Sequence, residues 1–408
     1  MSRLGKFAYS TAAAVLAVDG GNSKTEVALV DAAGGVLGAA RGPGTSHHHL
    51  GVPAAMDALE ELVAAACQDA GLPASGRPLA EVGVWCLAGL DFPADDEALG
   101  PAVAGRGWAR EALLHNDVFA VRRAGSDRTW GVGVVVGAGM NCVGVAPDGR
   151  EVRFPAIGEL SGDWGGGRDL GVAAVGAALR GEDGRGQPTT LTRLVPGWFG
   201  QRSALALVEA LFLGRIERRR VLELVPLVFA EADAGDPVAA GIVARQVAEV
   251  VAVAGAAIRR LGLAGTDVDV VLGGGLFHGD APAFLSQIRS GIARLAPAAR
   301  LTQVTAPPVV GAALLGLDRL GAPAGAAERL RATLTHQRLG TLRPVAASMT
   351  SPARMKFASE YEYFSPGDRT AGRSAKRGSR SAGRRALFPG IRSRAPTNES
   401  HVWAASSW

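Results

Sequence analysis

A glycine-broken hairpin that occurs twice is the feature that most constrains the fold of this chain. Residues 14–35 read AVLAVDGGNSKTEVALVDAAGG, an apolar run that stops at Asp19, breaks at two glycines and resumes as an alternating strand. Residues 129–152 read TWGVGVVVGAGMNCVGVAPDGREV and have the same form around Gly137 and Gly139. Helical and strand-like stretches follow each hairpin. The sequence therefore predicts an α/β protein of two lobes, each a mixed sheet flanked by helices, with a cleft between them.

Three segments are predicted along the 408 residues: an N-terminal lobe over 1–125, a C-terminal lobe over 126–321 and a basic tail over 322–408. The tail holds 15 of the 43 Lys and Arg and 5 of the 38 Asp and Glu, so it carries +10 while the rest carries −5. Its Ser, Gly, Arg and Pro content predicts disorder. An Arg-rich contact with nucleic acid and a non-functional extension are both open for the tail, whereas the mildly acidic lobes give no reason to expect nucleic acid.

Composition disfavours several other classes of protein. No uninterrupted apolar run reaches the ~18 residues of a membrane span, and the stretch before Val15 is too short for a signal peptide with a mature start. We therefore expect a soluble cytoplasmic protein. Cys67, Cys86 and Cys142 have neither CxxC nor Cys/His ligand spacing, so they are predicted to be buried reduced thiols rather than a disulfide framework or a zinc site.

Successive glycines let backbone N–H groups converge on an anion, so both hairpin turns are predicted to cradle phosphates. Asp19 is predicted to hold a Mg²⁺ ion that bridges protein and phosphate, because a bare carboxylate would repel the phosphate. A tight turn that needs positive φ is the alternative for either hairpin alone. A strand ending in three glycines, VVLGGGLFHG at 270–279, offers bare backbone to a purine or ribose. The predicted nucleotide-binding residues are Gly20, Gly21, Asn22, Ser23, Lys24, Thr25, Gly137, Ala138, Gly139, Gly273, Gly274 and Gly275.

No GxxxxGK[ST] or GxGxxG motif stands at a strand-to-helix junction, which disfavours Walker-type and Rossmann sites. The three glycine stretches, in this order, resemble the phosphate-1, phosphate-2 and adenosine elements of the actin, hexokinase and Hsp-type ATPase superfamily. Together with HNDVFAV, GELSGDWGGGRDLG and APPVVGAALLGL, they resemble the N-acetylglucosamine kinase group of the BadF/BadG/BcrA/BcrD ATPase family over roughly Val15 to Leu320.

This resemblance implies a two-lobed actin-like ATPase fold of the ribonuclease H-like type. It also implies an ATP- and Mg²⁺-dependent kinase that phosphorylates an amino sugar, N-acetylglucosamine or glucosamine, at the 6-hydroxyl. Relatives in the family are often dimers, so a homodimer is a further expectation.

Asp117 is the predicted catalytic base. It follows a buried apolar strand and begins a helix, whose N-terminus favours the ionised carboxylate. An ordinary helix N-cap is the alternative from the local sequence. The resemblance favours the catalytic role, because the matching aspartate of the family contacts the sugar hydroxyl and accepts its proton.

The resemblance also implies a set of sugar-binding positions on several loops. They are Ser46, His47, Asn116, Asp117, Met140, Asn141, Gly158, Glu159 and Asp163. Arg168 and Asp169, which follow this loop, are predicted to pair with one another or to cap the next helix.

The chain departs from the family pattern at three places. Ala138 and Met140 stand where the mammalian N-acetylglucosamine kinases have Thr and Ser, and Ser46 aligns with a sugar-contacting Asn. His47, His48 and His49 follow, and three adjacent histidines in an extended loop cannot all face one ion. A sugar-pocket role for one of them is therefore favoured over a metal site. These differences bear on the identity of the sugar more than on the reaction.

Two other functions are weighed against the kinase. The first is the ATPase that drives electron transfer to 2-hydroxyacyl-CoA dehydratases or benzoyl-CoA reductase, whose family holds an iron–sulfur cluster with a pair of cysteines per chain. Cys67 and Cys142 provide no evident pair. The second is a non-catalytic sugar sensor, whose DNA-binding segment precedes the first glycine turn in sugar-kinase relatives; only the Arg-rich tail favours it here.

Overall fold

A computed structural model describes residues 11–278, 281–342 and 345. The first lobe is built on a five-stranded mixed sheet in the order β3-β2-β1-β4-β5. The hairpin strands β1 and β2 pair antiparallel and β3 continues the meander, while β4 and β5 run parallel to β1. The elements are β1 (Ala13–Gly20), β2 (Lys24–Val30), β3 (Val36–Pro43), α1 (His47–Leu50), α2 (Val52–Asp69), β4 (Ala80–Leu87), α3 (Pro93–Ala104), β5 (Ala109–Asn116) and α4 (Asp117–Ala124).

The second lobe repeats this plan. Its sheet has the order β10-β9-β6-β7-β8, with β6, β7 and β8 antiparallel and β9 and β10 parallel to β6. The duplication predicted from the two hairpins is therefore present in the strand topology. The elements are β6 (Gly131–Val136), β7 (Met140–Val145), β8 (Glu151–Arg153), α5 (Gly167–Glu182), α6 (Leu191–Trp198), α7 (Ala204–Phe212), α8 (Val225–Asp233), α9 (Pro237–Leu261), β9 (Asp269–Gly273), α10 (Pro282–Leu295), β10 (Arg300–Gln303) and α11 (Pro308–Leu320), with 3-10 turns at Gly158–Ser161, Arg218–Leu224 and Gly275–Phe277.

Helices α4 and α11 join the two lobes. On α4, Val121 lies in one apolar cluster with Val271 of the second sheet, while Ala120 packs in the core of the first lobe. On α11, Gly316 lies so close to Val15 of β1 that a Cβ there would overlap the valine side chain, at 2.5 Å from its Cγ1. Helix α4 therefore packs against both sheets, and α11 returns the chain from the second sheet to the core of the first lobe.

Two short helices follow α11 inside the segment predicted as a disordered tail. They are α12 (Ala326–Thr333) and α13 (His336–Thr341), and Leu330, Leu334 and Leu339 bury their side chains in the core that β1 and α11 share. The predicted tail boundary at 322 is therefore wrong, because these leucines supply enough apolar burial to order residues 322–342. The basic stretch from 346 onward lies outside the described residues.

Helix α9 is long and apolar enough to cross a membrane by length and composition alone. Core helices of soluble proteins pass the same test, and α9 buries Val250, Ala254 and Ile258 completely within the second lobe. The three cysteines are free and buried, as predicted.

Candidate active site

The predicted site residues collect at the carboxyl ends of the parallel strands in each sheet. In the parallel part of the first sheet, Gly20 is in register with Leu87, and Leu87 with Asn116. In the second sheet, Val135 pairs with Gly273, which brings the turn after β6 beside the end of β9. Carboxyl ends of parallel strands are the usual place for ligands in such sheets.

The first glycine turn is tight and closely packed. The Gly21 N–H donates to the Lys24 carbonyl at 2.9 Å, and the Thr45 N–H donates to the Gly21 carbonyl at 3.2 Å. A Cβ on Gly20 would lie 2.6 Å from Leu87 Cδ2, and neither Gly20 nor Gly21 has a positive φ. Close approach therefore explains these glycines, and the alternative based on positive φ does not. Asn22 and Ser23 lie exposed at the tip of the turn.

Three carboxyl groups interact around Asp19. Its side chain is 7% exposed, and Glu26, its cross-strand partner, is fully buried. Burial, then the charges of Glu26 and Asp117, raise the pKa of Asp19 well above its usual range, with a smaller opposing effect from Lys24. Glu26 Oε1 accepts from Lys24 Nζ at 2.8 Å and lies 3.6 Å from Arg41 Nε, but the buried Glu26 Oε2 has no hydrogen-bond partner among the described residues. This surplus of negative charge fits a divalent cation at Asp19.

Two residues of the first turn are less available than the sequence suggested. Lys24 is held by the buried Glu26, although its side chain is 38% exposed. Thr25 is fully buried, and its hydroxyl lies 2.9 Å from that of Thr45. The structure therefore does not place Thr25 at the mouth of the turn, because the strand alternation turns it into the lobe.

The second glycine turn is anchored through its carbonyl groups. The Gly137 and Ala138 carbonyls accept from the N–H groups of Gly167 and Arg168 at 2.8 and 3.0 Å, at the start of α5. A Cβ on Gly137 or Gly139 would meet no described heavy atom within 4 Å outside its chain neighbours. This turn is therefore fixed by α5 and open where a phosphate could approach.

The three glycines after β9 differ from one another. Gly273 packs against Val121, and Gly274 has a φ of +98° and lies against the Val136 carbonyl group. Gly275 is exposed, and a Cβ on it would meet no described atom within 4 Å. Only Gly275 thus offers open backbone, while the first two glycines are needed for packing.

Asp117 is the first residue of α4, but it is not the helix cap. Asn116 is the N-cap, and its Oδ1 accepts from the Val118 N–H at 3.1 Å. Burial, and then the charge of Asp91, raise the pKa of Asp117 to about 6, against hydrogen bonds from backbone N–H groups that lower it. A half-buried carboxylate that titrates near neutral pH suits a general base.

Asp91 is a site residue that sequence reasoning missed. It lies in the turn between β4 and α3, and its Oδ1 accepts from Asn116 Nδ2 at 2.9 Å and from Asn141 Nδ2 at 3.4 Å. Asn141 Nδ2 is also 3.3 Å from Asn116 Oδ1. The available signal was an acid just after a buried strand, at the carboxyl edge of the sheet.

Asn141 and Met140 point to opposite sides of β7. Asn141 is half-buried among the polar groups beside Asp117, whereas Met140 is buried and its Sδ lies 3.7 Å from Gln246 Nε2. The structure therefore does not bring Met140 to the sugar side, because alternate residues of a strand face opposite ways.

The loop before α5 is held by Asp163. Both carboxylate oxygens of Asp163 accept from the Gly158 N–H, at 3.1 and 3.2 Å, and Ser161 Oγ also donates to this carboxylate. Glu159 is exposed. Asp169, in the first turn of α5, accepts from the Gly165 N–H at 2.7 Å and so ties the loop to the start of the helix.

The residues at 46–48 join α1 to α3. Ser46 is buried and its Oγ has no hydrogen-bond partner among the described residues. His47 Nε2 lies 3.1 Å from Asp95 Oδ1, and burial is the main cause that lowers the pKa of His47. His47 is therefore held by Asp95 and Ser46 is enclosed, so neither side chain is open to a sugar.

His47, His48 and Asp95 offer three possible metal-ligand atoms within 4.8 Å of one another. His48 Nε2 is 2.8 Å from the Gly89 carbonyl and 3.3 Å from Asp95 Oδ1. Because a carbonyl only accepts, this nitrogen carries its proton. Hydrogen bonds therefore account for the cluster.

Comparison with known proteins decides the family. The sequence profile of the BadF/BadG/BcrA/BcrD ATPase family matches residues 16–316. The chain belongs to this family. Its two sheets have the arrangement of the two-lobed actin-like ATPases, as the resemblance implied.

Three similar proteins are kinases by name. The N-acetylmuramic acid/N-acetylglucosamine kinase of Clostridium acetobutylicum is 25% identical over 210 residues, 51% of this chain and 69% of that protein. The N-acetyl-D-glucosamine kinase of Dictyostelium discoideum is 25% identical over 318 residues, covering 74% of this chain and 97% of that protein. A candidate N-acetylglucosamine kinase of Chromobacterium violaceum has a crystal structure that superposes with a TM-score of 0.59 at 25% identity, covering 74% of this chain and 98% of the other.

Proposed function

We propose that this protein is an ATP-dependent kinase that phosphorylates an amino sugar, N-acetylglucosamine or glucosamine, at the 6-hydroxyl. The observation that carries the proposal is Asp117, a half-buried acid with a pKa of about 6 at the edge where both glycine turns lie. The family and the names of the similar proteins support the reaction class. We place the enzyme in the cytoplasm, where ATP is available.

In this proposal Asp117 accepts the proton of the sugar hydroxyl as the oxygen attacks the γ-phosphorus of ATP, and ADP leaves. A pKa of about 6 leaves most of the carboxylate ionised near pH 7.5 and still close enough to neutral pH for proton transfer. Asn116 and Asn141 supply amide groups beside this acid. Such fixed polar groups reject a substrate that lacks the matching hydroxyls.

The two glycine turns are proposed to hold the phosphates of ATP, with Mg²⁺ at Asp19. A bound Mg²⁺ supplies positive charge that neutralises the phosphates. Asp19 and Glu26 are buried, and Glu26 Oε2 has no hydrogen-bond partner in the described part of the chain, so this pair of carboxyl groups fits the ion. Gly275 offers the bare backbone against which the adenosine would lie.

A coupled ADP-release assay against a panel of amino sugars and plain hexoses tests the proposal. We expect turnover with at least one amino sugar above the rate with water as acceptor. If ATP binds but no sugar is phosphorylated, the sensor is the better assignment. A brown protein with iron would instead favour the electron-transfer ATPase, although all three cysteines are buried.

A further inference from the structure

We propose that Asp91 is a positioning residue that fixes the side chains of Asn116 and Asn141 in one orientation beside Asp117. The inference rests on the proposed function and deepens it, because it assigns a role to a residue that touches neither of the glycine turns. Asp91 belongs to the first lobe, as does Asn116, whereas Asn141 belongs to the second. One carboxylate oxygen therefore links the lobes at the place where the sugar is proposed to bind.

Each amide side chain has two anchors: its oxygen accepts from a backbone N–H, and its nitrogen donates to Asp91. Asn116 Oδ1 accepts from the Val118 N–H at 3.1 Å, so its Nδ2 must face away from the helix, toward Asp91. Asn141 Oδ1 accepts from the Cys142 N–H at 2.7 Å, so its Nδ2 points to Asp91 and Asn116. Both amides are thus donors toward Asp91, which as a carboxylate only accepts.

The segment that carries Asp91 is held from both sides. Asp95 Oδ2 accepts from the N–H groups of Asp91 and Phe92 at 3.1 and 2.8 Å, which closes the turn before α3. Asp96, one residue further, accepts from Arg153 Nη2 of β8 at 3.1 Å. The segment is therefore braced within the first lobe and against the second, so that Asp91 has little freedom to move.

Asp91 also affects the charge of its surroundings. Its carboxylate raises the pKa of Asp117, after the larger effect of burial. The charge of Asp117 in turn helps to raise the pKa of Asp19 on β1 and of the Cys86 thiol on β4, after the larger effect of burial on each. Removing the charge at Asp91 takes away one of these repulsions, which stabilises ionised Asp117.

The test compares Asp91→Ala and Asp91→Asn with the wild type and with Asp57→Ala. Asp57 is an exposed acid of the same lobe that pairs with Arg106, so its loss is a matched control away from the site. We expect Asp91→Ala to raise the KM for the sugar about tenfold, the effect of about one lost hydrogen bond to a charged group, and to leave the KM for ATP within about twofold. In Asp91→Asn an amide oxygen can still accept, so the sugar KM should rise less.

The pH profile separates positioning from a general structural defect. Both Asp91 variants should move the acidic limb of kcat to lower pH, whereas Asp57→Ala should leave it in place. If Asp91→Ala has the same KM for the sugar and the same acidic limb of kcat as the wild type, the inference is overturned. Equal increases in the KM values for sugar and for ATP, with an unchanged acidic limb of kcat, would also overturn it.

If the wild type phosphorylates no sugar, the proposed function is refuted. The role of Asp91 can then still be tested by a structural measurement. In crystal structures of the wild type and Asp91→Ala, the Asn141 side chain should have one conformer in the first and an additional conformer in the variant, because the variant offers no acceptor for Nδ2 at position 91. An unchanged Asn141 in Asp91→Ala would show that Asp91 does not position it.

Discussion

The ionisation of Asp117 is the single-residue property on which the proposed reaction depends most. Changing Asp117→Asn removes the proton acceptor while keeping the size of the side chain. We expect turnover to fall by roughly 10²-fold or more, with nucleotide affinity nearly intact, because Asp117 belongs to the sugar side of the site. Steady-state kinetics with ATP titrations measure both quantities.

Asp57→Asn is the control for this substitution, since it removes an exposed acid on α2 and should leave turnover unchanged. Sugar phosphorylation at the wild-type rate in Asp117→Asn would rule out Asp117 as the base.

The raised pKa of Asp117 also predicts a pH dependence. Only the ionised carboxylate accepts a proton, so kcat/KM should fall as the pH drops through about 6. The sign for stability is opposite: the folded protein binds this proton more tightly than the unfolded chain. The contribution of Asp117 to the free energy of unfolding is therefore full below the usual Asp pKa and is lost as the pH rises through about 6.

Rate profiles between pH 5 and 8, in parallel with thermal melting, check the two signs together. An acidic limb that stays in place in Asp117→Asn would show that another group controls it.

At the same scale, the sequence located some site residues and missed others for definite reasons. The positions of Asp117 and the glycine turns at strand ends were predictable because strand ends and glycine turns are visible in the local sequence, whereas the catalytic role of Asp117, which the resemblance favours, stays a prediction. Met140 and Thr25 were misplaced because one position along a strand reverses the face of a side chain. Asp91 and Asp95 were missed because their partners, Asn141 and His47, are distant in sequence and only the fold brings them together.

Among the elements, α12 and α13 lead to a prediction about truncation. A chain that ends at Gly321 loses Leu330, Leu334 and Leu339, and burying each leucine contributes roughly 1.5–3 kcal/mol. We expect this chain to melt at a clearly lower temperature or to be insoluble. A chain that ends at Val345, whose N–H donates to the Arg41 carbonyl at 2.9 Å, should melt like the full-length protein.

Equal melting temperatures for the two truncated chains would show that these helices add no stability. The helices could not be placed from sequence because they are too short to show a clear period, and the basic composition that follows them dominates the segment.

For the whole molecule, the Arg153–Asp96 ion pair is predicted to limit the motion of the lobes. Asp96→Ala should broaden the distance distribution between spin labels on Cys substituted for Glu61 of α2 and Asp148 beyond β7. The native cysteines are buried and should label slowly. Double electron–electron resonance measures the distribution.

Asp267→Ala breaks an ion pair with Arg128 inside the second lobe and is the matched control. If both variants give the wild-type distribution, the ion pair does not restrain the lobes. At this scale the duplicated plan was predictable from the two hairpins, whereas the homodimer and a nucleic-acid contact of the basic tail stay predictions.

The packing of α11 on β1 has a consequence for how the protein is made. Val15 emerges from the ribosome early, but Gly316, which fits against it, is synthesised about 300 residues later. The last strand of the first sheet, β5, ends at Asn116, about 200 residues before Gly316. At ~5–20 residues per second, this sheet waits roughly 10–40 seconds with the apolar face that α11 covers exposed. The nascent first lobe is therefore expected to be bound by chaperones. Its core is completed only near the end of translation, when α11 has been made.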